Sequence, residues 1–598
     1  MSHYSIHFAL SLFFAAILPI FGKKPLKTRL LASVCAPSIL YIFFYNYDYA
    51  LVEGPFPFII SYVGAAYAVC LTLFAISFHR VKASSEGSSL PLIKYVLSFF
   101  LVFLIHCLIR VIPWAVDTFP LSNVEAVLFT MFAGNNEGAE NFVISGFKDK
   151  VVLPVLWIFF TIQVIQLMVT FALHRSQTFY GAEVWKFKLL FNRRKFSQLL
   201  WQTQRTLIFF LGAYAVIPLL LLPGIVMSTP FKVLMQRPVD SELYREHYVH
   251  PDSVQIEMRG NPKNLVMIFM ESMEKNFWRY TPEIAYLEES FLDFLPGGQN
   301  VSGTSWTIAG LTGKLCGIPL NMPMGVDEYL GKLPTYVPYA KCLMDVLADK
   351  GYNQLYAQGT DGNFTQKADF WKSHGGVNVH DIKYYKSVGK IPENYLVFWG
   401  FEDRKLYSLA KEEMDSLARQ NKPFAFYMLT VDTHQPYGFV DDSCKVVLKN
   451  IGVVDVNSNH FPEALRCASI QVESFINWMR KQPWFDETVV FVMGDHATPS
   501  LSTKAGIAQS DSLFWTNFVI NSAKDDGHAY RQGRAYSSLD MFPTILESMG
   551  FELENHAIAL GKSLYAELPT LLERYGRKTL DSLLRERSIQ YDYFLMGR

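Results

Sequence analysis

NLVMIFME, Asn264 to Glu271, is the stretch whose reading decides the fold. Six apolar residues in a row, Leu265 to Met270, leave no polar face for water, so the run predicts a strand buried on both sides. Strands of that kind belong to parallel sheets covered by helices on each face. The pattern recurs downstream: a helical stretch at 343–350 precedes a strand at 352–358, 406–420 precedes 424–431, and 470–481 precedes 489–493. Alternating helix and strand give an α/β domain, bounded at 264–565. A linker with Pro238, Pro251 and Pro262 fills 231–263, and 566–598 reads as a helical tail.

In such sheets the functional loops lie just beyond the strand C-termini. Glu271 closes the first run, Asp432 and His434 follow the 424–431 run, and Asp495 and His496 follow VVFVMG at 489–494. Each has an ordinary alternative as a helix-start carboxylate, an exposed loop residue or a turn. What gives them meaning together is that residues at the C-termini of parallel strands can converge on one crevice although far apart in sequence.

Between these strands GTSWTIAG, 303–310, reads as a loop entering a helix, which sets the Thr307 hydroxyl at the positive end of the helix dipole. Two carboxylates, an imidazole and a hydroxyl, with no thiolate, suit an oxygen-and-nitrogen site for one divalent ion: Glu271, Thr307, Asp495 and His496 around Mn²⁺ or Zn²⁺, with Mg²⁺ as a further option. Such an ion lowers the pKa of the hydroxyl and neutralises phosphoryl charge. Attack by Thr307 would then give a phospho-threonine intermediate.

The N-terminal part differs in composition. The chain has 598 residues, 50% hydrophobic and 18% charged, with mean hydropathy +0.15, which is too apolar for one soluble domain and too charged to be membrane throughout. Apolar runs fall at about 5–21, 30–46, 57–78, 92–112, 151–173 and 206–227, near the roughly 20 residues a spanning helix needs. A helical transmembrane domain of about six spans over 1–230 is the expectation. The first run is followed by Lys23, Lys24, Lys27 and Arg29 and lacks a small-residue cleavage site, so it reads as a retained helix.

Basic residues follow the first, third and fifth runs, while Asp48, Glu53, Asp117, Glu125, Glu137 and Glu140 lie in the other loops. That asymmetry puts the N-terminus and everything after the sixth run outside the cytoplasm. His106 and Arg110 read as a span end with a snorkelling arginine, and 183–205 as a helix on the inner membrane surface. A formal net charge of zero and the lack of a basic face argue against a nucleic-acid partner.

Of seven cysteines, Cys35, Cys70 and Cys107 fall in apolar runs. Cys316, Cys342, Cys444 and Cys467 fall in the exported part, where an even number predicts two disulfides. Three pairings are open, with the local pairs Cys316–Cys342 and Cys444–Cys467 favoured. A metal-thiolate site lacks any C-x-x-C spacing.

The order Met270-Glu271-Ser272, Thr307, THQPYGF around His434, and GDH ending at His496 resembles the alkaline phosphatase/sulfatase superfamily, in particular its membrane-anchored phosphoglycerol and phosphoethanolamine transferases. SWTIAG with LCGIPL, FWKSHG at 370–375, WGFED at 399–403 and TVDTHQP at 430–436 are similar to the phosphoglycerol transferases of periplasmic glucans. Lipoteichoic acid synthase is a more distant likeness.

The resemblance implies a sulfatase-like extracytoplasmic α/β domain with Glu271, Thr307, Asp495 and His496 on the metal, and His434 on the substrate phosphate and assisting proton transfer. It implies a substrate contact at Trp371, although the preceding QKAD and the following Lys372 and Ser373 depart from the synthase pattern. It implies cysteines in matching places. It also implies a bacterial inner-membrane enzyme with its catalytic domain in the periplasm, taking phosphoglycerol from phosphatidylglycerol and passing it to a glycan hydroxyl.

The alternative keeps the mechanism and moves phosphoethanolamine to lipopolysaccharide. Formylglycine sulfatase chemistry needs a C/S-x-P-x-R motif, which Ile308 and Ala309 after Thr307 do not supply. Alkaline phosphatases hold more metal ligands than this set. A transporter or sensor with a degenerate exported domain would be expected to have lost some of the four metal residues.

Overall fold

The computed structural model describes residues 239–321, 336–434, 438–452, 461–498, 514–524 and 533–596, with a few single positions between 100 and 200. The expected spans at 5–227 lie outside the described residues apart from those few positions. Among the described residues no helix is long and apolar enough to cross a membrane. The chain divides into two units, Met1–Thr118 with Ile144–Gly224, and Phe119–Val143 with Ile225–Arg598. In the first, Phe103 and Phe159 meet edge to face with ring centroids 5.4 Å apart. The second holds the elements that follow.

Among the described residues seven strands form its main sheet: β1 (Asn264–Met270), β2 (Leu292–Asp293), β3 (Asn353–Gln358), β4 (Asn378–His380), β5 (Phe424–Leu429), β6 (Thr488–Gly494) and β7 (Asn517–Ile520), in the order β2-β7-β6-β1-β5-β3-β4. The apolar run Leu265–Met270 lies in the central strand of the sheet. It pairs in parallel with β5 on one side and β6 on the other, and β3 and β4 continue the parallel set. The other edge departs from the all-parallel expectation, since β7 runs antiparallel to β6 and β2 antiparallel to β7. A short antiparallel edge on a parallel sheet is a common arrangement.

Side chains of β1 alternate between two cores. Leu265, Met267 and Phe269 join Tyr427 and Phe491 on one face, under helices α1 (Thr307–Cys316), α2 (Leu343–Asp349), α3 (Lys367–Ser373) and α6 (Met541–Ser548). Val266, Ile268 and Met270 join Phe426 and Val490 on the other, under α4 (Asp403–Ala418) and α5 (Phe461–Met479). Burying both faces is what a polar-free run demands.

Residues ahead of β1 pack onto the same unit. The helix Glu242–His247 buries Leu243 and Tyr244, and Ile256–Met258 pairs antiparallel with Phe551–Leu553. At the other end, helix Leu571–Leu584 buries Leu580 and Leu584 in the first core, and Tyr591 in the following helix joins them. Both local disulfides form, Cys316–Cys342 and Cys444–Cys467. The first ties the C-terminal end of α1 to the residue that precedes α2.

Candidate active site

The register of the parallel strands sets the site. Met270 lies opposite Gly494, so Glu271 and Asp495 leave neighbouring strands side by side. Asp495 N donates to Met270 O at 3.0 Å and Thr430 N to Phe269 O at 3.0 Å, which carries the sheet pairing to the lip of the crevice.

Past that lip the chain turns sharply. Ser272 adopts φ +51°, an uncommon conformation for a residue with a side chain, and donates twice: its N to Asp495 Oδ1 at 2.8 Å and its Oγ to Glu271 Oε1 at 2.7 Å. Glu271 is fixed further by Thr430 Oγ1, which accepts from its N at 3.1 Å, and by Thr433 Oγ1, which donates to its carbonyl at 2.5 Å.

Glu271, Asp495 and His496 are all buried and each offers a ligand atom within 4.8 Å of the others. His496 Nε2 stands 3.7 Å from Glu271 Oε1 and 3.5 Å from Asp495 Oδ2. Its Nδ1 lies 2.9 Å from the Ala497 carbonyl, which can only accept, so Nδ1 carries a hydrogen and Nε2, when its own proton is off, turns a lone pair toward two carboxylates. Asp495 Oδ2 is buried and has no hydrogen-bond partner among the described residues. An imidazole lone pair and acceptor oxygens turned on one point, one of them lacking a donor, are what a divalent cation satisfies. The donor set fits such an ion.

Thr307 joins from the side. It is the first residue of α1, and its Oγ1 lies 3.4 Å from Glu271 Oε2. Thr304 is turned away, with its hydroxyl bonded to Val301 N and O at 3.0 and 2.9 Å. Among the described residues two other ligand-like clusters occur, Cys342 with Asp345 and His374, and Asp441 with Cys444 and Cys467, and both use sulfurs already bonded in disulfides.

Electrostatics separate the two carboxylates. Burial alone would raise Glu271, but His434, His496, the Ser272 hydroxyl and Lys367 outweigh it and hold the carboxyl below its usual range. Asp495 is pushed up to about 6 by burial and then by the charge of Glu271. Two carboxylates this close resist ionising together without a cation between them.

His434 stands outside the three-residue cluster. Its ring tilts against Trp399 with centroids 4.4 Å apart, and Trp399 in turn stacks on Phe364 at 5.9 Å. The loop carrying His434 is braced by a reciprocal clasp. Asp403 accepts from Val431 N and Asp432 N at 2.8 and 2.9 Å, and Asp432 accepts from Asp403 N at 3.0 Å.

Trp371 lies in the core. Its ring has no exposure and packs on Tyr356 at 4.4 Å and Tyr427 at 4.7 Å, inside the first core. It shares a buried stripe with Lys367, Phe370 and His374.

A buried cation that sequence reasoning missed is Lys367, one turn before Trp371. It is buried, donates to Phe364 O at 2.8 Å, and is brought down to about 8 by burial against the opposing charges of Glu271, Asp361 and Asp495. A second buried cation, Lys314, lies behind the cluster and donates to Asp495 O at 2.7 Å. The one sequence signal for either was a lysine on the inner face of a helix.

Residues 263–551 match the Sulfatase family. The chain is 29% identical over 336 residues to "Phosphoglycerol transferase I" of Xanthomonas campestris pv. campestris (strain B100), covering 55% of this chain and 46% of that one. It is 31% identical over 312 residues to "Phosphoglycerol transferase I" of Escherichia coli (strain 55989 / EAEC), covering 51% of this chain and 39% of that one. The chain thus spans less than half the length of these curated relatives. Among solved structures it is similar to the integral membrane protein lipooligosaccharide phosphoethanolamine transferase A of Neisseria meningitidis, with 14% identity, 92% and 96% of the two chains covered, and TM-score 0.41. It is also similar to a lipoteichoic acid synthase of Listeria monocytogenes, with 17% identity, 52% and 79% covered, and TM-score 0.40.

Proposed function

We propose that the protein, whose residues 263–551 match the Sulfatase family, is a membrane-held transferase that moves the phosphoglycerol head group of phosphatidylglycerol to a hydroxyl of a periplasmic or surface glycan. The observation that carries this reading is the Thr307 hydroxyl, 3.4 Å from Glu271, beside the buried Glu271, Asp495 and His496 cluster. Relatives named phosphoglycerol transferase I support the head group. The apolar runs at 5–227 support a membrane location, in which a lipid donor is concentrated in two dimensions.

Glu271, Thr307, Asp495 and His496 would hold one divalent ion, Mn²⁺ or Zn²⁺ by donor type. When bound, such an ion lowers the pKa of a hydroxyl and neutralises charge on phosphoryl oxygens. The chain's own groups do the rest. Glu271 Oε2 orients Thr307 Oγ1 toward the phosphorus. Oγ1 gives its proton to Glu271 Oε2 and bonds to phosphorus as the bond to the diacylglycerol oxygen breaks, and diacylglycerol leaves with a proton from His434. A sugar hydroxyl then gives its proton to His434 and bonds to phosphorus as the bond to Thr307 breaks, and Thr307 Oγ1 takes its proton back from Glu271. His434 serves as proton donor in the first half and acceptor in the second. Lys367 supplies fixed positive charge for the non-bridging phosphoryl oxygens.

The test incubates the full chain in detergent with a glucan acceptor and either phosphatidylglycerol or phosphatidylethanolamine, each labelled in its head group. Label should pass from the first. Transfer from the second alone would overturn the head group, and transfer from neither would overturn the transferase.

A further inference from the structure

Thr307, Gly310 and Lys314 lie at positions i, i+3 and i+7 of α1 and so share one stripe of the helix. That stripe faces the end of β6. A Cβ on Gly310 would stand 2.1 Å from Asp495 O, so the helix backbone rests directly against this carbonyl. One turn on, Lys314 Nζ donates to the same oxygen at 2.7 Å and to Ser538 Oγ at 3.3 Å, and it stands 4.1 Å from the centre of the Trp515 ring. Two oxygens and a ring face satisfy an ammonium that has no exposure to water.

A methionine would fill this volume without bringing a charge out of water, so apolar packing does not explain a lysine here. What singles it out is the residue it holds. Asp495 is tied to β1 through its N, bonded to Met270 O, and its Oδ1 accepts from Ser272 N and His496 N at 2.8 Å each, while Oδ2 is left for the cluster. Lys314 adds a tie from Asp495 to the helix that begins with Thr307.

Resting on the reading of Asp495 as an ion-holding residue, we propose that Lys314 is a positioning residue that locks the nucleophile's helix to the strand end bearing Asp495. It thereby sets the separation between Thr307 and the carboxylate pair. Without it, α1 is free to slide along the Asp495 carbonyl, and the four ligand groups lose their common centre.

The test is Lys314→Met in the full chain in detergent, which keeps the apolar stem and removes the donors. Mn²⁺ binding is measured by competition with a chelating indicator, alongside transfer kinetics and the unfolding temperature. Mn²⁺ should bind about tenfold or more weakly. The kcat should fall about 10–100-fold at an unchanged donor KM, as expected for a misplaced reacting group.

A purely structural lysine would lower the unfolding temperature and leave Mn²⁺ affinity alone, which overturns the proposal. Ser538→Ala, which removes only the second acceptor, decides the matter if the methionine variant does not fold. It should weaken Mn²⁺ binding to a smaller degree, and unchanged binding overturns the proposal. Wild-type protein that binds no Mn²⁺ instead sinks the reading of the site itself.

Discussion

Thr307 Oγ1 lies 3.4 Å from Glu271 Oε2, although the two residues are 36 positions apart. The contact joins the first residue of α1 to the residue that follows β1. A hydroxyl at a helix start and a carboxylate at a strand end are each commonplace, and the role proposed for them rests on their meeting beside Asp495 and His496.

Replacement of Thr307 tests that role at its simplest. Thr307→Ala should fold with an unchanged circular dichroism spectrum and lose transfer by roughly 10³-fold or more, as expected when a nucleophile is removed. Thr307→Ser, which keeps the oxygen, should retain measurable transfer. Both are read with head-group-labelled phosphatidylglycerol.

Lys367 predicts a pH dependence. Its folded-state value is brought down to about 8, so its charge is present below that pH and is lost as pH rises through it. Transfer should therefore decline above about pH 8, measured as kcat/KM for the donor. In Lys367→Arg the decline should move upward, because a guanidinium keeps its proton. An identical profile in the two proteins would remove Lys367 from the phosphate.

The Asp403 and Asp432 clasp predicts a pH dependence of stability. Burial raises Asp403 to about 7, and burial followed by the charge of Asp403 raises Asp432 well above the carboxylate range. Folded-state values above the unfolded ones mean that this contribution is whole at low pH and disappears as pH rises through the folded values. The unfolding temperature should fall between about pH 5 and pH 8. Asp432→Asn, which keeps an acceptor for Asp403 N but cannot ionise, should flatten that fall.

Trp371 should behave as a core residue. Trp371→Phe should cost about 1–2 kcal/mol of stability, less than the about 3–5 of full truncation, and leave the donor KM of the folded enzyme unchanged. Denaturant unfolding and steady-state kinetics on one preparation separate the two effects. A raised KM at unchanged stability would return this ring to the substrate.

Much of this was legible in sequence because two strong constraints act there. A strand buried on both faces cannot hide its composition, so β1, β5 and β6 stand out as apolar runs, and parallel pairing then forces Glu271 and Asp495 to emerge together. The paired cysteines close loops of 26 and 23 residues, and the local pairing was favoured.

Lys367 was not legible, since its approach depends on Thr365 and Gln366, which adopt φ +55° and +57° and redirect the chain just before α3. The burial of Trp371 was open to reading, since the spacing of Lys367, Phe370, Trp371 and His374 marks the inner face of a helix. The 231–263 segment read as a connector because its prolines are local, while the partner of Ile256–Met258 lies at Phe551–Leu553, far along the chain.

The proposed covalent step is open to direct observation. The full chain is mixed with phosphatidylglycerol, quenched in acid, digested and mapped by mass spectrometry. A glycerophosphoryl group should be found on Thr307 and be absent from the Thr307→Ala protein. The same group on Thr304, Ser305 or His434 with Thr307 unmodified, or full transfer by the alanine variant, would contradict the assignment of Thr307 as the nucleophile.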